Sequence, residues 1–182
     1  MTQVGHSIMG ATVAVAFLPW KTGFLKKIAV MAVFVFLANL PDAPVPWWGH
    51  TRYDISHSIF VNGLLAAAVA VPLAFYLRSR RVAGAGTLVA GGALAWLSHL
   101  LLDTFYNHGK GLAVFWPFGS GRVALPVPWF KTLNGHPLLP QIDAYTARLY
   151  LIEMAFYGTL FALALVIRWL IERRFSRRTA AG

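Results

Sequence analysis

The chain has 182 residues, with no cysteine and few charged side chains. The lack of cysteine excludes a disulfide framework and a metal site built on thiolates. Only 12% of the residues are charged, about half the share of an ordinary soluble domain, whereas 58% are hydrophobic. This balance and the modest length predict one domain embedded in a membrane. The N-terminal stretch MTQVGHS lacks the basic residues of a secretory signal peptide, so we expect no cleaved leader.

Long apolar runs predict how the chain crosses the bilayer. A membrane helix needs about 20 apolar residues, and three runs approach or reach that length, at 59–77, 84–105 and 149–171. Two shorter runs, at 4–18 and 25–40, precede them and by length alone also fit buried helices. We therefore predict an all-α fold, a polytopic membrane helical bundle of about five membrane helices with a long outer loop before the last.

The bundle is predicted to be a single domain over residues 1–182. Four helices occupy 1–106, the last helix covers 149–171, and a basic cytoplasmic tail covers 172–182. The outer loop at 107–148 is rich in proline, glycine and aromatic residues, and its aromatic rings suit the headgroup region of a membrane. Loops of this length are usually functional or disordered, and the aromatic content favours function.

Basic residues predict the orientation. The net charge of +10 comes from clusters between apolar runs, which favours membrane topology over nucleic-acid binding. With five spans, most of the basic residues share one side of the membrane: Lys21, Lys26, Lys27, Arg78, Arg80, Arg81, Arg168, Arg173, Arg174, Arg177 and Arg178. The positive-inside rule places that side in the cytoplasm. We expect the N-terminus outside, the C-terminus in the cytoplasm, the lipid bilayer as a partner, and no nucleic acid.

Nearly all acidic and histidine residues map to the outer ends of the predicted helices. His6 starts the first helix, Asp42 follows the second, and His57 starts the third. His99 and Asp103 lie in the last turns of the fourth. The remaining outer members are His50, Asp54, His108, His136, Asp143 and Glu153. Because ionisable groups are costly within a membrane, this convergence indicates a functional site.

The spacing of His99 and Asp103 indicates metal binding. Residues four apart share one helix face, so this imidazole and carboxylate can bind one ion, with Asp42 and His57 joining from other helices. Neutral imidazole and carboxylate ligands suit zinc, and also manganese or iron. We predict a divalent metal cofactor, zinc first, and six candidate ligands: His6, Asp42, His57, His99, Asp103 and His108.

Catalysis at such a site would need further groups. Asp42, Asp54 or Glu153 could act as the base, and Arg52 could hold developing negative charge. Simpler roles also fit, since Asp42 could be a turn residue, Glu153 could pair with an arginine, and His50 beside two tryptophans is typical of the membrane interface.

The polar stretches resemble the YdjM family of bacterial inner-membrane proteins, whose members are described as predicted metal-dependent hydrolases. The matching pieces are GHSIMG at 5–10, NLPD at 39–42, TRYDISHS at 51–58, SHLLLDTFYNHG at 98–109 and FWPF at 115–118. The resemblance implies a location in the bacterial inner membrane and hydrolase chemistry at the metal. The family pattern has a second acid where Pro44 stands and a histidine where Thr51 stands.

A more distant similarity implies the kind of substrate. The order His6, Asp42, His57, His99, Asp103, His108 is similar to that of bacterial zinc-dependent phospholipase C, an all-helical enzyme with several zinc ions. That enzyme completes its cluster with a later His-x-x-x-Glu step, whereas His136 and Glu153 stand far apart here. The similarity implies a phosphoester or lipid-linked substrate.

Two non-enzymatic functions fit the same residues. A metal-handling or transport protein would place its polar groups near the bilayer midplane, between broken helices. A structural membrane protein would use them only to tie helices together. The position of the polar groups at helix ends favours the hydrolase.

Overall fold

The computed structural model describes residues 1–19, 22–106, 111–133 and 143–180. Helices make up the regular structure of these ranges. The α-helices are α1 Gln3–Phe17, α2 Phe24–Asn39, α3 Tyr53–Ser56, α4 Ile59–Ser79, α5 Ala85–Asp103 and α6 Ala144–Ala180. A first 3-10 helix, Leu40–Asp42, continues α2, and a second, Gly49–Arg52, leads into α3.

Four helical segments are long and apolar enough to cross a membrane. They are Phe24–Asp42, Ile59–Ser79, Ala85–Asp103 and Ala144–Arg174. Their outward surfaces are apolar, with large side chains such as Leu64 and Phe75 mostly exposed. The prediction of an all-α membrane bundle is confirmed. Helix α1, with 15 residues, spans only about 22 Å, less than the ~30 Å of the hydrocarbon core.

The short helix α1 lies inside the bundle and contacts α2, α5 and α6. Its residues Val13 and Ala14 join Phe34 and Ala95 in one buried apolar cluster. Gly10 allows this close approach, because a Cβ there would lie 2.7 Å from the backbone oxygen of Phe34. The packing therefore brings the start of α1 beside the ends of its neighbours.

Helix directions alternate, so one end of the bundle collects the starts of α1, α4 and α6 and the ends of α2 and α5. We call this the site end. At this end α1 is capped by Thr2, whose hydroxyl accepts from Val4 N at 3.2 Å, and α4 is capped by Ser58. These side chains satisfy backbone N–H groups that a helix start leaves unpaired.

Helix α6 begins at Ala144, earlier than the predicted start at residue 149. Asp143 caps the helix by accepting a hydrogen bond from Thr146 N at 2.7 Å. Hydrogen bonding to Thr146 lowers the pKa of the Asp143 carboxyl. The helix continues to Ala180, through most of the segment predicted as a basic tail, because arginine is a strong helix former.

The described part of the aromatic loop, 111–133, folds back over the site end. Backbone bonds join Ile59 N to Val114 O at 2.8 Å, and Leu125 N to Thr104 O at 2.7 Å. The ring of Phe130 stacks on Tyr106, with centroids 4.9 Å apart. The loop is thereby tied to the starts and ends of the helices that carry the candidate ligands.

Candidate metal centre

Five predicted ligands meet at the site end. Three come from separate segments of the chain, and the other two lie on one face of α5. His6 lies in α1, Asp42 closes the first 3-10 helix, and His57 stands between α3 and α4. His99 and Asp103 occupy the last turns of α5. None of the five residues is more than 6% exposed.

The two carboxylates lie among the imidazole rings. Asp103 Oδ1 is 3.2 Å from His6 Nε2, and Asp103 Oδ2 is 3.4 Å from His57 Nε2 and 3.6 Å from His99 Nε2. Asp42 Oδ1 is 3.3 Å from His57 Nε2 and 3.6 Å from His99 Nε2. One atom each from His6, Asp42, His99 and Asp103 falls within 4.8 Å of the others, as expected around one ion.

Backbone carbonyls orient two of the rings. His99 Nδ1 lies 2.8 Å from Ala38 O, and His57 Nδ1 lies 3.1 Å from Tyr53 O. A carbonyl only accepts, so His99 Nδ1 carries the proton that it donates, whereas His57 Nδ1 also lies 2.8 Å from the Ser56 hydroxyl, which can donate or accept. The Nε2 atoms then face the carboxylates, which is how metal-binding histidines are held by their outer contacts.

The cluster contains buried polar atoms without well-formed hydrogen bonds. In the described part of the chain, neither ring nitrogen of His6 nor Asp42 Oδ1 makes a hydrogen bond of good geometry, although His6 Nε2 lies 3.2 Å from Asp103 Oδ1 and Asp42 Oδ1 lies 3.3 Å from His57 Nε2. The Nε2 atoms of His57 and His99 are only 3.3 Å apart. Burying such groups unsatisfied costs free energy, and a cation at their centre would satisfy them.

Positive charge already approaches the cluster from two sides. The amino group of Met1 lies 2.8 Å from Asp103 Oδ1. Burial acts to lower the pKa of His57, but the neighbouring Asp103 and Asp42 carboxylates raise this pKa to about 9. A proton on His57 Nε2 and a metal ion are therefore alternative ways to balance the two carboxylates.

The donor set fits a divalent metal. Imidazole nitrogen and carboxylate oxygen are the ligands that zinc takes in proteins, and manganese and iron accept the same atoms. The buried His/Asp group can hold an ion, and its composition alone does not select among these metals.

Comparison with known proteins gives the family. A family model described as YdjM inner membrane protein matches residues 1–177. The chain belongs to the YdjM inner membrane protein family. Family and apolar helices together make this a membrane protein. No curated protein and no solved structure gives a match.

The other predicted residues of this YdjM-family chain that the structure describes lie around the cluster rather than in it. Asp54 is 43% exposed and pairs with Arg122 at 2.9 Å. Arg52 is exposed at the end of the second 3-10 helix. His108, predicted as a ligand, lies outside the described residues, as does His136.

Glu153 is buried beside the start of α1. It accepts from Thr2 N at 3.0 Å, from the Thr2 hydroxyl, and from Gly5 N at 3.1 Å. These are N–H groups that the helix start leaves unpaired, and a carboxylate is favoured at that end of a helix. The contacts favour a role in holding α1, and with it His6, in place.

His50 lies closer to the cluster than the sequence indicates. Its Nε2 is 3.4 Å from Asp42 Oδ1, and its side chain is 45% exposed. It therefore forms the solvent-facing rim of the site, not merely part of a membrane-interface stretch with Trp47 and Trp48. The sequence feature that could have indicated this position is that His50 lies in the same polar segment as His57.

A buried hydrogen-bond network supports the segment around His57, and nothing in the sequence pattern marks it. Trp96 Nε1 donates to Asn62 Oδ1 at 2.8 Å. Asn62 Nδ2 donates to Ser56 O at 2.7 Å and to Ser58 O at 2.8 Å. Asn62 thus binds the residues on both sides of His57 and fixes where its ring stands.

Proposed function

We propose that this chain is a membrane-bound, metal-dependent hydrolase with its His/Asp site at the outer face of the bacterial inner membrane. The observation that carries the proposal is the convergence of buried imidazole and carboxylate groups at one point, one ligand atom from each of His6, Asp42, His99 and Asp103 lying within 4.8 Å of the others, with Asp42 Oδ1 and His6 Nε2 lacking well-formed hydrogen bonds among the described residues. A cluster that served only to tie helices together would pair donors with acceptors. The proposed substrate is a phosphoester or a lipid-linked compound.

The proposed ligands are His6, Asp42, His99 and Asp103, with His57 Nε2 facing the same carboxylates. His108 remains a predicted further ligand. Zinc is the proposed ion, and manganese or iron would suit the same atoms. A bound divalent ion would supply Lewis-acid polarisation and a nucleophilic water at neutral pH.

The chain's own residues would orient the reaction and move its proton. Of the three candidate bases only Asp42 faces the cluster, and the carboxylate oxygen that does not bind the ion would take the proton, with His50 beside it at the solvent-facing rim. Asp54 is engaged by Arg122, and Glu153 by the start of α1. Arg52, exposed two residues beyond His50, is proposed to hold the anionic group of the substrate.

Charge distribution supports the proposed orientation. Lys26, Lys27, Arg78 and Arg80 lie at the end of the bundle opposite the His/Asp cluster. The positive-inside rule puts that end in the cytoplasm. The cluster would then face outwards, with the N-terminus outside and the C-terminus inside.

The main alternative is metal handling or transport. A transporter would place its site near the bilayer midplane, whereas these residues lie in the first or last turns of their helices, or just outside them. Position at the membrane surface favours chemistry on a substrate over passage of an ion.

The test is metal analysis of detergent-purified protein followed by assay of phosphoester hydrolysis in vesicles. We expect near-stoichiometric metal in the unchanged chain and loss of metal in His99→Ala. Ser98→Ala is the matched control, because within the described residues the Ser98 hydroxyl donates to its own helix, at Ala95 O. Correctly folded protein that binds no metal when zinc, manganese and iron are supplied would refute the proposal.

A further inference from the structure

A pocket with charged walls lies at the end of the bundle opposite the site end, which we call the basic end. It encloses about 250 Å³, slightly less than the ~300 Å³ at which small-molecule pockets usually begin. We call it the basic pocket, and its defining residues are Leu18, Lys27, Met31, Leu165, Arg168 and Glu172. The pocket therefore has room for part of a lipid headgroup, and not for a whole lipid.

The basic pocket exists because α1 is shorter than its neighbours. Within the described ranges α1 packs against both α2 and α6, which scarcely contact each other. Helix α1 ends at Phe17, whereas the span of α6 continues to Arg174. Beyond the end of α1 no described helix separates α2 from α6, so a gap opens between them. Lys27 and Glu172 lie within one turn of the ends of their spans, which places the pocket at the level of the lipid headgroups.

Arg168 is a cation fixed in the wall of the basic pocket. Its side chain is only 14% exposed, and its Nε donates to Glu172 Oε1 at 3.0 Å. Its Nη1 donates to Val15 O, which lies near the end of α1, where the last carbonyls have no partner within the helix. These contacts hold the guanidinium group in place at the pocket.

Lys27 gives the basic pocket an excess of positive charge. It lines the pocket, and within the described part of the chain its ammonium group forms no ion pair. The ionisable residues of the lining, Lys27, Arg168 and Glu172, therefore sum to one positive charge. A phosphodiester carries one negative charge, and lysine and arginine are the residues that bind phosphate groups. The charge of the pocket is thus complementary to one phosphodiester.

The surroundings of the basic pocket also fit a lipid headgroup. Trp169 lines the pocket and is 50% exposed, and the guanidinium of Arg173 lies 4.2 Å from the centroid of its ring. Tryptophan is enriched at the level of the headgroups, and basic pockets between membrane helices bind anionic headgroups. The apolar residues Met31 and Leu165 would contact the glycerol and the first carbons of the chains.

We propose that the basic pocket binds an anionic phospholipid, with its phosphate bound by Lys27 and Arg168 and its acyl chains outside, along α2 and α6. A headgroup that carries an ammonium group of its own would be disfavoured, because that group would meet the positive charge of the pocket. The inference does not rest on the proposed function, since it needs neither the metal nor hydrolysis. Because Arg168 also holds Val15 O, the bound lipid should stabilise the end of α1, the helix that carries His6.

The test is native mass spectrometry of the full-length protein in detergent, titrated with phosphatidylglycerol and separately with phosphatidylcholine. We expect one phosphatidylglycerol per chain to bind about fivefold more tightly than phosphatidylcholine, the effect of one cation beside a headgroup. Equal binding of the two lipids would overturn the inference. Displacement of phosphatidylglycerol by an equal concentration of inorganic phosphate would also overturn it, since the pocket would then be a site for soluble anions.

Two neighbouring lysines provide a matched pair of variants. Lys27→Gln should weaken phosphatidylglycerol binding about fivefold, and it breaks no ion pair within the described residues. Lys26→Gln removes the same charge from an exposed position that does not line the basic pocket, so it should leave the affinity nearly unchanged. Equal losses in the two variants would overturn the inference, because they would indicate a general attraction of the basic end for anionic lipid.

Filling the basic pocket provides the second readout. Leu165→Trp should abolish the preference for phosphatidylglycerol while leaving the net charge unchanged. Leu163→Trp is the control, because Leu163 is 51% exposed on the same helix and does not line the pocket. A preference that survives Leu165→Trp would overturn the inference, and so would a dimer in the same spectra that excludes the lipid.

Discussion

Removing the proposed metal should destabilise the protein by an amount set by the ratio of metal concentration to dissociation constant. A ligand that binds only the folded state stabilises it by about 4 kcal/mol when its concentration is 1,000 times the dissociation constant. The structure makes such coupling expected, because Asp42 Oδ1 and the His6 ring nitrogens are buried without well-formed hydrogen bonds among the described residues. Leaving such groups unsatisfied costs about 1–3 kcal/mol each, in the same range.

The assay is thermal unfolding in detergent, with and without a chelator. For a chain of this size 1 kcal/mol corresponds to roughly 2–4 °C, so the chelator should lower Tm by about 8–16 °C. His99→Ala should unfold at a lower temperature than the unchanged chain, because a buried ring is lost, and its Tm should not respond to the chelator.

The comparison between the two proteins separates a metal site from a structural cluster. If the cluster only ties helices together, the chelator has no effect on either protein. The reasoning is refuted if the unchanged chain, shown to be folded and supplied with zinc, keeps the same Tm after chelation.

Three further predictions use other parts of the structure. Asn62→Leu removes three buried hydrogen bonds, so it should lower metal affinity by about tenfold and the free energy of unfolding by roughly 2–4 kcal/mol. Trp96→Phe removes one of these bonds and should lower the free energy of unfolding by about 1 kcal/mol. Equal losses in the two variants would contradict the network. Gly10→Leu should prevent folding, since a Cβ at residue 10 would lie 2.7 Å from the α2 backbone. Gly63→Leu is the control and should express normally, because a Cβ at residue 63 would have no described atom within 4 Å. Gel filtration of both variants tests the prediction. His57, with its pKa raised to about 9, is protonated below that pH, and a bound ion must displace this proton. Metal affinity should therefore rise about tenfold per pH unit between pH 7 and 9. Competition with a chelating dye measures the affinity, and an affinity independent of pH would contradict the prediction.

Much of the site follows from one-dimensional rules. Apolar runs separate the helices, and helix direction must alternate in a membrane bundle, so polar residues at alternating helix ends meet at one end. The helical period puts His99 and Asp103 on one face. These rules are sufficient to predict a His/Asp cluster without any knowledge of how the helices pack.

The segment between α2 and α4 obeys no such rule. It contains His50, Asp54 and His57 within a few residues, yet His57 is buried in the cluster, His50 forms its rim, and Asp54 turns outwards to Arg122. Two short 3-10 helices and a single turn of α-helix decide these directions. Short irregular segments have no period from which a facing direction can be predicted.

The sequence alone determined that this is a helical membrane protein and predicted nearly all of its histidines and acids at one end, because burial of apolar runs and the cost of ionisable groups in lipid act on each segment separately. Only the tertiary structure decided that Glu153 binds the start of α1 and that Asn62 holds the loop of His57. It also created the apolar groove between α2 and α4, because the gap there depends on how both helices pack on α5. Contacts between segments distant in the chain depend on the packing of whole helices, which no local pattern encodes.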